Sequence, residues 1–381
     1  MSEPIKDKVG RVRKGEEINP QVIADYLRQH LSHLEGIPTI LQFKGGASNL
    51  TYRLDFDNDS LILRRPPMGT KAKSAHNMGR EFDIMKRLDG HYPVPKMLHF
   101  CEDPEVIGSE FYVMERLKGY IPRTRFDQSL QLSPEQVRAI CVRTLDEFVN
   151  LHQLDYKAIG FEDYYRGEGY VKRQVEGWNR RFRKARTPDV PDCEKVMNWL
   201  VEKMPEDVGA SIIHNDYRFD NMVYDQKDLT QVMGVLDWEM ATVGDPLMDF
   251  GGSLAYWIQA DDPRCMKLLS RQPTQAKGMM TRDEVVAHYM EKSGLSTDNI
   301  KYYYIFGLFR LAGIIQQIYY RYYHKQTTNP AFSTFGVAVE MLEAYCSKLI
   351  DNPTQDLSPR TFNWFEDIRF TLRFMRKQKK S

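Results

Sequence analysis

Hydrophobic and polar residues alternate in short runs over the first third of the chain. These runs are TILQF, LTYRLDF, SLILR, KMLHFC and SEFYVMERL, and turn-forming stretches such as KGGASN and DNDS lie between the first three. Runs of this length and composition are typical of strands. A helix is predicted from Pro20, behind the capping residue Asn19, to about His33, and another from Ala75 to Leu88. The pattern predicts a meander of about five strands with one helix inserted after the third.

Apolar positions recur every three or four residues in most of the chain after Gly119. The segment SPEQVRAICVRTLDEFVNLHQL begins with a Ser-Pro helix signal and keeps this spacing. Residues 211–238 are the exception, because short apolar runs around polar loops predict strands there. We therefore predict an α+β, bilobal fold. It comprises a loose segment at 1–17, a small antiparallel-sheet N-lobe with one key helix at 18–117, and a larger, mainly helical C-lobe at 118–381.

The composition is that of a soluble globular protein. Hydrophobic residues make up 42% of the chain and charged residues 28%, and the net charge is +1. Such a balance gives no electrostatic reason to expect nucleic acid or an anionic membrane as a partner. The stretch 302–320 is the most apolar, but Arg310, Gln316 and Gln317 interrupt it, so we expect a buried helix rather than a membrane span.

Cysteine usage and the N-terminal sequence favour a cytoplasmic protein. Five cysteines lie far apart, which indicates neither a disulfide framework nor a zinc site. The sequence MSEPIKDKVGRVRKGEE lacks the apolar core of a signal peptide. The expected compartment is therefore reducing and cytoplasmic.

The stretch HNDYRFDN, residues 214–221, is the strongest candidate for chemistry, because it is a polar cluster between two apolar runs. It contains Asp216 and Asn221, and Asp237 ends the next strand-like run 16 residues later. Asp216 is suited to accept the proton of an attacking hydroxyl. Asn221 and Asp237 are oxygen ligands of the kind that Mg²⁺ takes together with nucleotide phosphates. The alternative is that all three are turn and capping residues.

A glycine-containing turn between the first two strands of the N-lobe is a candidate phosphate site. Gly45 and Gly46 are followed by Ser48 and Asn49, and such a turn leaves backbone N–H groups free to point at phosphate oxygens. Hairpin turns of this kind also occur without a ligand.

A cation at the end of the third strand is a second candidate for phosphate binding. Arg64 ends the run LILR, and Glu81 lies on the following helix. A pair between them would steady the guanidinium over the α- and β-phosphates. The alternative is a surface ion pair of little energetic value.

Taken in order, these motifs resemble the protein-kinase-like fold, in the branch that contains aminoglycoside phosphotransferases and choline kinases. The resemblance covers residues 35–260 and depends most on HNDYRFDNMVYD and VLDWEMATVGDPLMDFG. The runs LRRPP, AHNMGREFDIMKRL and FYVMERLKGY are similar to the phosphotransferase segment associated with some animal acyl-CoA dehydrogenases. The resemblance implies ATP and Mg²⁺ as cofactors and phosphorylation of a hydroxylated acyl-CoA.

The resemblance also implies residue roles. Asp216 matches the catalytic base, and Asn221 and Asp237 match the magnesium ligands. Glu115 and Leu117 fall where the backbone of this family binds adenine. Further implied roles are orientation of the loop by His214 and anchoring of the loop and the next helix by Asp245 and Asp249.

Three departures from the pattern of the wider fold stand out. No Asp-Phe-Gly follows the metal-binding strand, the glycine turn is not G-x-G-x-x-G, and Arg64 stands where a lysine is usual. Arginine keeps the charge and adds a bidentate fork, although its reach differs. Arg65 and Lys71 are the alternatives for this role.

The acceptor is expected to be a small molecule. Only six residues separate Asp237 from Gly244, which leaves no room for the activation segment that docks a peptide. The last 85 residues contain 12 Lys and Arg against 7 Asp and Glu, which favours an anionic acceptor such as a hydroxyacyl-CoA. Arg310 and Arg321 are candidates to contact its acid, whereas the basic tail is expected to be solvated.

The leading interpretation is an ATP- and Mg²⁺-dependent transfer of the γ-phosphoryl group to a hydroxyl of a small molecule. Two alternatives stay open: a catalytically silent nucleotide-binding regulatory module, and an aminoglycoside-modifying kinase. Nothing in the sequence points to an oligomeric state.

Overall fold

The computed structural model describes residues 9–43, 49–67, 77–296, 298–354, 356–357 and 362–379. The chain divides into two compact units. The first comprises Met1–Ile121 and Asn221–Ala241, and the second Pro122–Asp220 and Thr242–Ser381. The segment Asn221–Ala241 therefore groups with the first unit, although the sequence-based division placed all residues after 117 in the helical lobe.

The first unit is built on a six-stranded antiparallel sheet with the order β1-β2-β3-β4-β6-β5. The strands are β1 Val9–Gly10, β2 Thr39–Phe43, β3 Leu50–Asp55, β4 Ser60–Arg65, β5 Met97–Cys101 and β6 Phe111–Glu115. Two helices, α1 Pro20–Arg28 and α2 Met78–Leu88, accompany the sheet, and the hairpin of β8 Met222–Tyr224 and β9 Val232–Val235 completes the unit.

Three sequence-based expectations need correction here. The sheet is not a simple meander, because β6 pairs with both β4 and β5 and leaves β5 at the edge. The first helix ends at Arg28, well before His33. Part of the segment expected to be loose is held to the sheet: Val9 pairs with Phe43 in β2.

The start of the second helix is fixed by its cap. Asn77 accepts a hydrogen bond from the Arg80 backbone N–H, so α2 begins at Met78. The earlier start predicted at Ala75 lies outside the described residues.

Strand alternation explains the core of the first unit. In β3, Leu50, Tyr52 and Leu54 are buried, and the residues between them are half-buried. Their inward side chains pack with the buried face of α1, which contributes Ile23 and Leu27. Both the sheet and α1 are therefore held by one apolar cluster.

The second unit is mainly helical. Its helices are α3 Pro134–Gln153, α4 Tyr170–Ala185, α5 Glu194–Glu202, α6 Pro246–Ala255, α7 Arg264–Lys267, α8 Arg282–Ser293, α9 Ile300–Tyr323, α10 Phe335–Asp351 and α11 Trp364–Lys379. It also contains a two-stranded antiparallel pair of β7 Ser211–Ile213 and β10 Thr242–Gly244. Strand β7 leads directly into the HNDYRFDN loop, since it ends at Ile213, the residue before His214.

Helices α6 and α9 approach each other closely through glycine. A Cβ on Gly307 of α9 would lie 2.1 Å from the Gly251 carbonyl oxygen of α6, and a Cβ on Gly251 would lie 2.3 Å from the Tyr303 carbonyl oxygen. Only glycine permits this backbone contact. The contact matters for the site because α6 carries Asp249 and α9 carries Arg310.

The expectation of a buried helix over 302–320 is confirmed by α9, most of whose residues are buried. Within the part of the chain that the structure describes, no helix is both long and apolar enough to cross a membrane. The α+β class predicted from the sequence is also confirmed.

Candidate active site

The first unit brings together three of the residues singled out from the sequence. Arg64 at the end of β4 donates from Nη1 to Glu81 Oε1 of α2 at 2.5 Å and from Nη2 to Asp237 Oδ1 at 3.0 Å. The Glu81 side chain is fully buried and that of Arg64 is 10% exposed, whereas that of Asp237 is 35% exposed. The ion pair expected between Arg64 and Glu81 is therefore present and is not a surface pair. Its link to Asp237 was not predicted.

Burial and charge act in opposite directions on this network. Burial alone would lower the pKa of the Arg64 guanidinium, but Glu81, followed by Tyr112 and Asp237, raises it well above its ordinary value. Burial raises the pKa of the Glu81 carboxyl, and the Arg64 cation opposes that increase. A cation held in this way keeps its charge and a fixed orientation, which suits it to bind an anion.

Asp237 has an unusual backbone conformation. Its φ is 68°, in the left-handed region that residues other than glycine seldom adopt, although Asp and Asn tolerate it best. The preceding residue, Leu236, donates its N–H to the Asn221 carbonyl oxygen at 2.7 Å. The two predicted metal ligands, Asn221 and Asp237, thus lie at the same end of the β8–β9 hairpin.

The predicted phosphate-binding turn is only partly described. Gly45, Gly46 and Ser48 lie outside the described residues. Asn49 is buried, and its side-chain amide donates to Glu239 Oε2 at 3.1 Å. This hydrogen bond ties the start of β3 to the segment after Asp237.

Of the two residues expected where adenine binds, Glu115 is the last residue of β6 and Leu117 lies two residues beyond it. The Glu115 backbone N–H donates to the Lys96 carbonyl oxygen at 3.0 Å, and its carboxylate accepts from the Lys96 N–H at 2.7 Å. Just beyond, a Cβ on Gly119 would lie 2.4 Å from the Tyr224 carbonyl oxygen. This close approach lets the segment pack directly on the β8–β9 hairpin.

The alternative cation Arg65 is engaged elsewhere. It is 1% exposed and donates to the carbonyl oxygens of Glu16 and Ile107 and to the Tyr52 hydroxyl. Its hydrogen bonds hold the N-terminal segment to the sheet, which leaves Arg64 as the better candidate of the two. Lys71 lies outside the described residues.

In the second unit, Asp249 of α6 anchors the HNDYRFDN loop. Its carboxylate accepts from the His214 N–H at 2.6 Å and from the Asn215 N–H at 2.8 Å. His152 reaches the same carboxylate at 3.3 Å. The buried His214 ring lies 3.2 Å from the Asp216 backbone N–H through Nδ1. These contacts match the orienting and anchoring roles that the family resemblance implied.

Asp245 is the second anchor. It caps α6 by accepting from the Met248 N–H at 2.9 Å and also accepts from the Val208 N–H at 2.7 Å. Burial raises the pKa of this carboxyl to about 6, and the two N–H donors oppose the increase.

Asp216 itself is 24% exposed and has a cationic neighbour that sequence reasoning missed. Arg218 Nη2 lies 3.1 Å from Asp216 Oδ2, and its Nε lies 3.3 Å from Asp220 Oδ1. The guanidinium also lies 4.8 Å from the centre of the Tyr256 ring. Burial raises the pKa of Asp220, while Arg218 opposes that increase and Asp216 adds to it. The only signal for Arg218 in the sequence was its place within HNDYRFDN.

Arg80 is a further residue that the sequence did not single out. It donates from α2 to the carbonyl oxygens of Glu239 at 3.1 Å and Ala241 at 2.5 Å. The neighbouring Glu81 holds Arg64, which reaches Asp237, so two successive residues of α2 fix the segment from Asp237 to Ala241 at its start and at its end.

Comparisons with known proteins identify the family of the chain. Residues 39–281 match the phosphotransferase enzyme family called APH. Acyl-CoA dehydrogenase family member 10 of Mus musculus is 33% identical over 336 residues, covering 87% of this chain and 31% of the mouse protein. Family member 11 of Homo sapiens is 34% identical over 307 residues, covering 78% of this chain and 38% of the human protein. The chain thus spans about a third of the length of the curated relatives it matches.

Solved structures give the same assignment. A Ralstonia eutropha protein described provisionally as an aminoglycoside phosphotransferase has a TM-score of 0.73 and 30% identity, covering 87% of this chain and 99% of that one. Choline kinase from Cryptosporidium parvum has a TM-score of 0.59 at 12% identity, covering 91% and 100%. The ternary complex of APH(2'')-IIa with streptomycin and ATP has a TM-score of 0.52 at 14% identity, covering 82% and 97%. The last two show the fold alone. The resemblance stated from the sequence is confirmed, and the chain belongs to the APH family of phosphotransferase enzymes, with a protein-kinase-like fold.

Proposed function

We propose that the protein is an ATP- and Mg²⁺-dependent kinase that transfers the γ-phosphoryl group to a hydroxyl of a small molecule. The observation that carries the proposal is the buried Arg64–Glu81 pair and its hydrogen bond to Asp237. A phosphate-binding cation and a metal-binding carboxylate side by side are what phosphoryl transfer requires. Membership of a phosphotransferase family supports the same chemistry.

Arg64 would bind the nucleotide phosphates, and the backbone of Glu115 and Leu117 would bind adenine. Asn221 and Asp237 would hold magnesium, which when bound neutralises charge on the phosphates. The donor set fits this metal, because Asn221 and Asp237 offer an amide oxygen and a carboxylate at the same end of the β8–β9 hairpin. Mg²⁺ commonly takes one or two protein oxygens and completes its shell with phosphates and water. A fold neighbour is known as a complex with ATP, which supports the choice of nucleotide.

Asp216 would act as the general base that accepts the proton of the acceptor hydroxyl. Its carboxylate is partly exposed, while its backbone is fixed through Asp249 and His214. A fixed, accessible carboxylate is suited to orient a hydroxyl and to take its proton as the bond to phosphorus forms.

The acceptor that we propose is a hydroxyacyl-CoA. The support is the set of curated relatives, which are named as acyl-CoA dehydrogenase family members and are about a third identical to this chain. The short stretch between Asp237 and Gly244 supports a small acceptor rather than a peptide.

The deciding experiment measures ADP release with ATP and Mg²⁺ against a panel of hydroxyacyl-CoAs, aminoglycosides, choline and sugars. We expect acceptor-dependent ADP release with hydroxyacyl-CoAs, and a rate lower by about 10²-fold or more in the Asp216→Asn variant. Nucleotide binding without acceptor-dependent release across the whole panel would instead favour a silent regulatory module. Turnover limited to aminoglycosides would replace the proposed acceptor.

A further inference from the structure

Two arginines of the second unit lie beside one tryptophan, next to the HNDYRFDN loop. Arg310 of α9 is 9% exposed and donates from Nη2 to the Asn215 carbonyl oxygen at 2.6 Å. Asn215 directly precedes Asp216. Arg310 therefore places a buried positive charge at the backbone of the residue that precedes the proposed base.

Arg181 is the second cation. Its guanidinium lies 4.7 Å from the centre of the Trp178 ring, and that of Arg310 lies 5.7 Å from the same centre. Trp178 is buried on α4, so the ring is a rigid support for both groups. A guanidinium that lies on an aromatic ring keeps its in-plane N–H donors available for another ligand.

Among the residues that the structure describes, no acidic side chain forms an ion pair with either cation of this Trp178 arginine pair, Arg181 and Arg310. Partial burial, with Arg180 and Arg310 adding to it, lowers the pKa of Arg181. Cations kept together without a counter-charge raise the energy of the free protein, and an anionic ligand would relieve that cost.

We propose that the Trp178 arginine pair binds an acidic group, phosphate or carboxylate, of the acceptor whose hydroxyl is phosphorylated at Asp216. The inference rests on the proposed function, because it assigns a binding site to the acceptor of that reaction. The hydrogen bond from Arg310 to Asn215 fixes the position of the cation relative to the loop. Binding of the acid there would hold the acceptor at the loop while its hydroxyl meets the base. Arg321, the other cation considered from the sequence, is exposed and takes no part.

The test begins with binding, which needs no turnover. Calorimetry would measure the affinity of coenzyme A, which carries phosphates, of succinate, which carries carboxylates, and of pantetheine, which carries no net charge. We expect the protein to bind at least one of the two anions and not pantetheine. Binding of coenzyme A would identify phosphate as the recognised group, and binding of succinate would identify carboxylate.

The variant is Arg181→Gln, because Arg181 is exposed and its replacement should leave the fold intact. We expect the affinity of the bound anion to fall about tenfold, as when one charge-assisted hydrogen bond is lost. Arg181→Lys should retain part of the affinity for the anion, because it keeps the positive charge. The matched control is Arg180→Gln, since Arg180 directly precedes Arg181 in α4, is exposed and lies 4.0 Å from Glu176. The control should bind as the unchanged protein does.

Kinetics give the second readout. With a hydroxyacyl-CoA and the corresponding hydroxyacyl-pantetheine as acceptors, Arg181→Gln should raise KM about tenfold for the charged member only, with kcat little changed. Equal losses in Arg181→Gln and Arg180→Gln, or no binding of either anion at millimolar concentration, would overturn the inference. If no acceptor is turned over, the proposed function fails, and the binding measurements still decide whether the pair is an anion site.

Discussion

Two residues with left-handed backbone conformations lie at the proposed chemistry. Asn215, with a φ of 64°, precedes Asp216, and Asp237, with a φ of 68°, is itself a predicted magnesium ligand. Such conformations are costly and persist where surrounding contacts impose them. Here the contacts are the Asp249 carboxylate on Asn215 and the Arg64 guanidinium on Asp237. Strain at both positions is therefore consistent with side chains held for function.

Asp216→Asn is the most direct change at this scale. The amide cannot accept the proton of a hydroxyl, so kcat should fall by about 10²- to 10⁴-fold. ATP affinity should stay nearly unchanged, because the proposed nucleotide contacts involve other residues. Single-turnover kinetics and ATP binding by calorimetry would measure both quantities.

The matched control for that change is Asp225→Asn, in the turn after β8, where the side chain accepts from the backbone N–H groups of Lys227 and Asp228. Its kcat should equal that of the unchanged protein. If Asp216→Asn retains full turnover, Asp216 is not the base.

Arg64 can be tested by separating charge from geometry. Arg64→Lys keeps a cation beside the buried Glu81 and loses the fork that also reaches Asp237, so ATP should bind more weakly while the fold survives. Arg64→Ala leaves Glu81 buried without its partner, which should lower the free energy of unfolding by about 3–5 kcal/mol. Calorimetric ATP titration and urea unfolding would check these effects. A folded Arg64→Ala variant with normal ATP affinity would assign the phosphates to another cation.

The residues with a sequence signal are those whose chemistry is local. Asp216 and Asn221 share one short motif, and the Arg64–Glu81 pair could be predicted because a strand end and the next helix are close in sequence. Arg218, Arg80 and the left-handed backbone of Asp237 could not be predicted. Their roles depend on contacts that only the folded chain creates.

At the scale of elements, α3 and α8 are joined by an exposed ion pair that also belongs to a helix cap. Both Arg138 Nη groups donate to the Glu284 carboxylate, which also accepts from the Thr281 N–H in the capping box of α8. The Arg138 hydrogen bonds lower the pKa of Glu284 from 4.5 to about 2.

This shift makes a pH-dependent prediction. Because the folded-state pKa is lower than the unfolded one, the stabilisation is complete above pH 4.5 and is lost as the pH falls toward about 2. Glu284→Gln keeps an acceptor for the cap and should cost only about 0.5–1 kcal/mol at pH 7, since water screens the pair. Urea unfolding at pH 7 and pH 3 would show the difference shrinking. The prediction would be contradicted if Glu284→Gln lowered stability as much at pH 3 as at pH 7. It would also be contradicted if Glu291→Gln, an exposed change on the same helix, lowered stability equally.

The glycine contact between α6 and α9 gives a prediction about packing. Gly307→Ala would place a methyl group 2.1 Å from a backbone carbonyl oxygen. The helices would have to separate, which should lower the free energy of unfolding by about 1–3 kcal/mol. Thermal unfolding would measure the loss. Gly209→Ala, where a Cβ meets no atom within 4 Å, should change stability little, and an equal loss there would remove the packing explanation.

Element positions could be predicted better than element pairing. The strands β2, β3, β5 and β6 each fall within a run that the alternation identified, and β4 extends one residue beyond its run. Helix α9 was predicted to be buried because its apolar stretch is interrupted only by Arg310, Gln316 and Gln317. The order of the sheet could not be predicted, because the pairing of β4 with β6 joins residues about 50 positions apart. The pairing of β1 was missed because two residues are too few to show a periodicity.

At the scale of the whole molecule, the match to the family ends at residue 281, whereas the second compact unit continues beyond that residue. Helix α9 begins after that point and is buried along most of its length, with close packing against α6. A chain ending at residue 281 should therefore fail to fold, because α6 would expose the apolar face that α9 covers.

Circular dichroism and thermal unfolding would test this truncation. A chain ending at Met375, which lacks only the last residues of α11, is the control and should unfold cooperatively. A chain ending at residue 281 that unfolds with the same midpoint as the full chain would show that α9 is dispensable.

The chain leaves its first unit at Ile121 and returns to it only at Asn221. During synthesis at about 5–20 residues per second, the missing hairpin would emerge roughly 5–20 s after the rest of that unit. Until the hairpin emerges, residues 117–120 lack the surface against which they pack in the folded protein. A nascent chain arrested near residue 200 should accordingly be cut by protease in this region, and one arrested well past residue 241 should resist.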